Sequence, residues 1–198
     1  MPRRLGRPFF ARPTLVVAEA LIGKVLVHTT REGTTAGAIV ETEAYIGEDD
    51  PACHAAPGPT PRNQPLYGPP GVFYVYLNYG MHFLVNIVTE GKGFPAAVLL
   101  RALEPVDGRE LMARRRGAGP DRPIPEAALC RGPGNLTRAM AITLAHNRLA
   151  VSGASLYIED RGLDPGPVAW SPRVGINVGV EQPWRCYAAG SAAVSGKR

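Results

Sequence analysis

Twenty-three glycines and twenty prolines punctuate a chain of 198 residues. Glycine turns the chain at no steric cost, and proline cannot continue a helix or a central strand, so punctuation this dense divides the chain into many short elements. Short elements are favoured over long helices, and a strand-rich α+β fold is expected. With 45% hydrophobic residues the chain can still bury one proper core, which excludes a disordered tail; the length fits one domain over residues 1–198.

Lys and Arg outnumber Asp and Glu by 22 to 17, a net charge of +5, and 19 of the 22 are arginine. Guanidinium forks suit phosphate and carboxylate, so the balance favours an anionic partner, although many basic proteins are merely soluble. Cys53, Cys130 and Cys186 are odd in number and lack C-x-x-C spacing, which argues against a disulfide framework or a Cys-rich zinc site. His54 beside Cys53 could ligate a metal, but further ligands have no recognisable spacing, so neither metal nor cofactor is expected. No stretch approaches about 18 unbroken apolar residues. The opening MPRRLGRPFFARP carries charges and prolines where a signal peptide is apolar. A cytosolic protein with no membrane partner is expected.

The first helix signal runs from Thr14 to Ile22, after Pro13 and before Gly23. Lys24–Thr29 and Thr35–Glu43 read as a hairpin across Arg31-Glu-Gly-Thr34. Residues 47–70 are dense in Pro, Gly, Asp and Asn, and a loop that long usually carries function. Gly71–Tyr76, Phe83–Val88 and Ala97–Leu103 are apolar runs that fit core strands of one antiparallel sheet. Pro105–Arg116 has helical composition, its Arg114-Arg-Arg116 end reading either as a solvated terminus or as a contact. Gly132–Ala141 predicts a short helix whose start could hold a phosphate or simply be capped. Short strands are expected around Leu156, Arg173–Ile176 and Trp184–Tyr187.

The residues richest in chemistry lie in Val40-Glu-Thr-Glu-Ala-Tyr45. On a strand, Glu41, Glu43 and Tyr45 share one face, either lining a pocket with a general base or forming an exposed acidic edge. Tyr74, Tyr76 and Tyr79 fall within six positions. Tyrosines usually fill cores, but Tyr79 beside Gly80 and Met81 sits in a turn, where an aromatic suits a wedge between base pairs. Asn86 and Arg101 interrupt apolar strands and need partners, in a structural network or a lined polar pocket.

Together these features fit a glycosylase that stacks a flipped base on aromatics and directs water with one carboxylate. Six blocks in order carry a closer likeness: Leu5-Gly-Arg-Pro-Phe-Phe10, Ile39-Val-Glu-Thr-Glu-Ala-Tyr45, Thr60-Pro-Arg-Asn63, Tyr74-Val-Tyr-Leu-Asn-Tyr-Gly-Met81, Val98-Leu-Leu-Arg-Ala-Leu-Glu-Pro105 and Arg131-Gly-Pro-Gly134. Through them the chain resembles the alkyladenine (3-methyladenine) DNA glycosylase family over roughly Leu5–Tyr187. The resemblance implies a single α+β domain with a curved, mostly antiparallel sheet, short helices and long loops, similar to a formyltransferase C-terminal domain. It implies that Glu43 is the general base, with Arg101 holding the water and the charge. Tyr45 and Tyr76 would sandwich the base, His54 would meet its edge, and Asn86 would disfavour guanine. The backbone near Ile176 would close the pocket, with Tyr79 and Met81 at the intercalating turn. Relatives often have an aromatic at His82 and a glycine at Asn177, so this chain departs from the pattern there.

The implied partner is double-stranded DNA containing a damaged purine. The protein would act as a cytoplasmic, nucleoid-associated monomer. The only lysines, Lys24, Lys92 and Lys197, lie outside the blocks, so no amine is placed for a lyase step. A non-catalytic nucleic-acid-binding domain of related fold is the alternative, but it has no need of Glu43, Tyr45 and Arg101 together. A nucleoside hydrolase has no need of a wedge or a basic face.

Overall fold

In the computed structural model, which describes residues 2–196, nine strands make one antiparallel sheet. They are β1 (Arg3–Arg4), β2 (Val25–Thr30), β3 (Gly33–Ile46), β4 (Phe73–Asn78), β5 (His82–Val88), β6 (Ala96–Asp107), β7 (Leu156–Asp160), β8 (Val168–Ser171) and β9 (Arg185–Ala188). The order is β1-β7-β2-β3-β6-β5-β4, with β9 pairing β3 and β8. Four short helices accompany them: α1 (Arg7–Phe10), α2 (Thr14–Ala20), α3 (Arg109–Arg116) and α4 (Pro133–Ala139). The expected α+β class is what the chain adopts. Among the described residues no helix is long and apolar enough to cross a membrane. Lys197 lies outside the described residues.

The period of two along the strands divides the sheet into two faces with different tasks. Ala44 of β3, Phe73 and Val75 of β4, Val85 and Ile87 of β5, and Val98 and Leu100 of β6 point one way. They join Val17 and Ala18 of α2 and Leu136 and Ala139 of α4 in the main core. A fully buried Phe73, Ile87 or Leu100 contributes about 1.5–3 kcal/mol. The opposite face carries Tyr45, Tyr74, Tyr76 and Ala97, which pack with Cys53, Ala55 and Leu66 from the long loop.

β3 is the axis of the sheet. β2 flanks its first half in the expected hairpin, Thr30 opposite Gly33, and β9 takes over that side at Glu41–Glu43. On the other side β6 runs nearly the whole length, with three irregularities in register, of which the last two compensate each other. Ile39 faces Leu103, Glu41 faces Ala102 and Thr42 faces Leu100, so Val40 and then Arg101 fall between partners. Such bulges re-aim side chains. Here they bring Arg101 against both glutamates, and the Glu-x-Glu segment is central and buried rather than an exposed edge.

Two expected elements differ. The helix expected from Pro105 begins only at Arg109, because β6 keeps pairing with β3 through Pro105 and Asp107. Gly108 makes the switch in the left-handed region at φ 73°, where an added Cβ would clash with the Thr34 carbonyl oxygen. Arg173–Ile176 is a loop, not a strand. Pro172 has no N–H to continue the ladder of β8, and the buried Arg173 side chain ties the chain down instead.

Candidate active site

Glu43 is fully buried at the centre of β3. Its Oε1 accepts from the Val174 N–H at 2.7 Å. Its Oε2 accepts from the Tyr45 hydroxyl at 2.8 Å and from Arg101 Nη1 at 3.2 Å. A carboxylate has about four acceptor positions, and these three donors fill most of them, fixing the plane of the Glu43 carboxylate. Burial pushes the Glu43 pKa up, and the Arg101 charge and the Val174 N–H oppose it. Burial and the Glu43 charge also raise the Tyr45 phenol, so Tyr45 stays protonated and donates.

Arg101 is itself held at every corner. Nε donates to Glu41 Oε1 at 2.9 Å, Nη2 to Ser195 Oγ at 3.1 Å, and Nη1 also reaches the Val174 carbonyl at 3.3 Å. Glu41 Oε1 takes a second guanidinium, Arg185 Nε, at 2.7 Å. Two buried carboxylates thus balance two buried guanidiniums. That neutrality is what lets four charges leave water together.

Beside this quartet opens a cavity of about 560 Å³ lined by Tyr45, His54, Tyr74, Tyr76, Asn86 and Arg101, with Val174 and Ile176 along another wall. The His54 ring centroid lies 4.5 Å from that of Tyr76, and His54 Nδ1 is 3.0 Å from the Tyr74 hydroxyl. Burial and the nearby Arg62 lower the His54 pKa, so the ring is neutral at pH 7. With Nδ1 engaged, Nε2 is the nitrogen left to meet a ligand. Asn63 staples the loop that carries His54, donating to the His54 and Gly58 carbonyls at 2.7 and 2.8 Å. Behind Tyr45, Arg173 lies 4.7 Å from the ring centroid and is clamped by Asp50 through bonds of 2.6 and 2.8 Å.

At the cavity mouth the β4–β5 hairpin turns at Tyr79-Gly80, with φ of 47° and 68° and the Met81 N–H on the Asn78 carbonyl at 3.1 Å. Two left-handed central residues define a type I′ turn, which normally takes Asn-Gly. A tyrosine there is strained, and this one is 85% exposed, with Met81 73% exposed. Large apolar side chains held out in water at a strained tip serve contact, not the core.

Residues 8–192 match the pattern of the methylpurine-DNA glycosylase (MPG) family. The chain belongs to that family. A protein of Chlorobium phaeobacteroides (strain BS1) named "Putative 3-methyladenine DNA glycosylase" is 50% identical over 197 residues, covering 98% of this chain and 96% of its own. Proteins with the same name from Chlorobaculum tepidum (45% over 195 residues; 98% and 91% covered) and Methanocella arvoryzae (46% over 195 residues; 96% and 95%) are similar throughout.

All of the methylpurine-glycosylase residues expected from sequence gather at one place. Tyr45, His54, Tyr76, Tyr79, Asn86, Arg101 and Ile176 line the same cavity, Glu43 lies buried behind it against Arg101 and Tyr45, and Met81 is exposed on the Tyr79 turn. Asn86 spends its amide on the Tyr74 carbonyl at 3.1 Å. The backbone that reaches Glu43 belongs to Val174, two residues before Ile176. Sequence reading missed Val174, the Asp50–Arg173 clamp, and the pairing of Glu41 with Arg185 and Ser195. The spacing of Glu41 and Glu43 was the one signal available for the last.

Proposed function

We propose that this protein hydrolyses the N-glycosidic bond of alkylated or deaminated purines in duplex DNA, among them 3-methyladenine, 7-methylguanine, hypoxanthine and ethenoadenine, and so starts base excision repair. The observation that carries this reading is a fully buried carboxylate paired with Arg101, which lines an aromatic cavity whose rim bears a strained, exposed tyrosine.

The target nucleotide turns out of the stack into the cavity, where Tyr45 and Tyr76 sandwich the base and His54 reads its edge. Stacking at about 1–3 kcal/mol per base offsets part of the cost of unstacking. Water held by Glu43 attacks C1′, its proton passing to Glu43 while the C1′–N bond electrons leave with the purine. A cationic N3-methyladenine departs neutral and needs no proton; a neutral hypoxanthine takes one as it leaves. Among the described residues neither Lys24, paired with Asp160, nor Lys92 lines the cavity, which supports water as the nucleophile. The product is an abasic site in an unbroken strand.

Two results are expected. Excision needs ionised Glu43, whose pKa lies above the ordinary carboxylate value, so the single-turnover rate rises with pH through a correspondingly elevated acid limb. A limb at or below the normal glutamate value, about 4.3, contradicts the assignment. Replacing Tyr79 by glycine relieves the positive-φ strain, about 1–2 kcal/mol, against the extra freedom glycine has when unfolded. Thermal stability is therefore expected to hold, while excision from paired duplex falls far more than excision of a base opposite a gap. Equal losses on both substrates would remove Tyr79 from the wedge role.

A further inference from the structure

Ser195 lies outside the stretch that matches the family, 8–192, yet its atoms meet three of the four buried charges. The segment that carries it is packed in, with Ala193, Val194 and Ser195 buried. The Ser195 N–H donates to Glu41 Oε2 at 2.7 Å, and its hydroxyl donates to Glu41 Oε1 at 2.9 Å while accepting from Arg101 Nη2 at 3.1 Å. Its carbonyl accepts from Arg185 Nη2 at 2.5 Å.

We infer that Ser195 is a positioning residue for excision, fixing the plane of the Arg101 guanidinium so that Nη1 is aimed at Glu43 and the Val174 carbonyl. The inference rests on the reading of Glu43 as the base. A guanidinium is planar, so anchoring two corners determines the third. Glu41 anchors Nε and Ser195 anchors Nη2, leaving Nη1 as the corner that faces the reacting carboxylate. A hydroxyl is needed because the one atom must accept from Arg101 and donate to Glu41, which no apolar side chain can do. Without it Arg101 keeps its charge and its ion pairs but rocks about the Glu41 contact, and Glu43 loses part of the field that keeps it ionised.

Glu41 is unsuited to the test because its loss unbalances buried charges, so the experiment uses Ser195. Single-turnover base release from a hypoxanthine-containing duplex is followed against pH for wild type, Ser195→Ala, Ser195→Cys and Ser191→Ala. The last loosens the same segment where Ser191 bonds Glu104, away from Arg101. Ser195→Ala is expected to slow release by about tenfold to a hundredfold, the cost of a lost hydrogen bond to a charged group. Its acid limb moves to higher pH by about half a unit or more. Affinity for a duplex carrying a non-cleavable abasic analogue stays within about threefold of wild type. Ser195→Cys, a weak donor and acceptor, falls between serine and alanine, and Ser191→Ala keeps the wild-type rate and limb. A Ser195→Ala rate near wild type with an unmoved limb, or a Ser191→Ala variant that shifts both equally, overturns the inference and leaves the function standing. Absence of release by wild type, from this duplex and from N3-methyladenine-bearing DNA alike, overturns the function itself.

Discussion

Glu43→Gln is expected to reduce single-turnover excision by about 10²–10⁴-fold, the usual contribution of a positioned general base. The amide matches the carboxylate in volume and can still accept from the Val174 N–H, so the cavity keeps its shape. What it loses is the capacity to take a proton from water and the negative charge that complements Arg101. Binding to damaged duplex should be nearly unchanged, because the stacking rings, the hairpin tip and the basic surface are untouched. Measured together, rate and affinity separate chemistry from recognition: a rate within tenfold of wild type, roughly 1.4 kcal/mol of barrier, would rule Glu43 out as the base.

The largest stability effect is expected at Glu41. Glu41→Ala leaves two buried guanidiniums, Arg101 and Arg185, with one carboxylate, Glu43 on Arg101, and breaking a buried pair in this way costs about 3–5 kcal/mol. For a chain of this size that corresponds to a fall in Tm of about 6–20 °C. The contrast is Glu32→Ala, which removes the pair with Arg115 at a side chain 58% exposed, where solvent screens the charges and the loss is expected to stay within about 1 kcal/mol. Thermal or denaturant unfolding of the two variants checks the difference. A Glu41 variant as stable as the Glu32 variant would mean that the buried quartet contributes nothing to folding.

The division between what the sequence disclosed and what it did not follows the range of the interactions. Glu43 and Tyr45 could be placed on one face because a strand has a period of two, and Tyr79-Gly80 could be placed at a turn because glycine marks it. Both are local facts. The helix expected at Pro105 failed because cross-strand pairing overrode local composition, and the strand expected at Arg173 failed because a buried side chain claimed the backbone's place. Arg185 and Ser195 lie 144 and 154 positions from their partner Glu41, and Arg173 reaches Asp50 across 123. No pattern within a window of sequence reports contacts of that range. The two bulges that turn Arg101 toward the glutamates are equally hidden, since Val40 and Arg101 each look like ordinary strand residues.

The most direct test of the account is single-turnover release of base from duplex DNA carrying N3-methyladenine or hypoxanthine, with the products resolved on a denaturing gel before and after alkaline treatment. The account predicts free base and an abasic strand that breaks only with alkali, unaffected by a hydride reagent that would trap a Schiff base. Tight, salt-sensitive binding to the damaged duplex with no base released would contradict it.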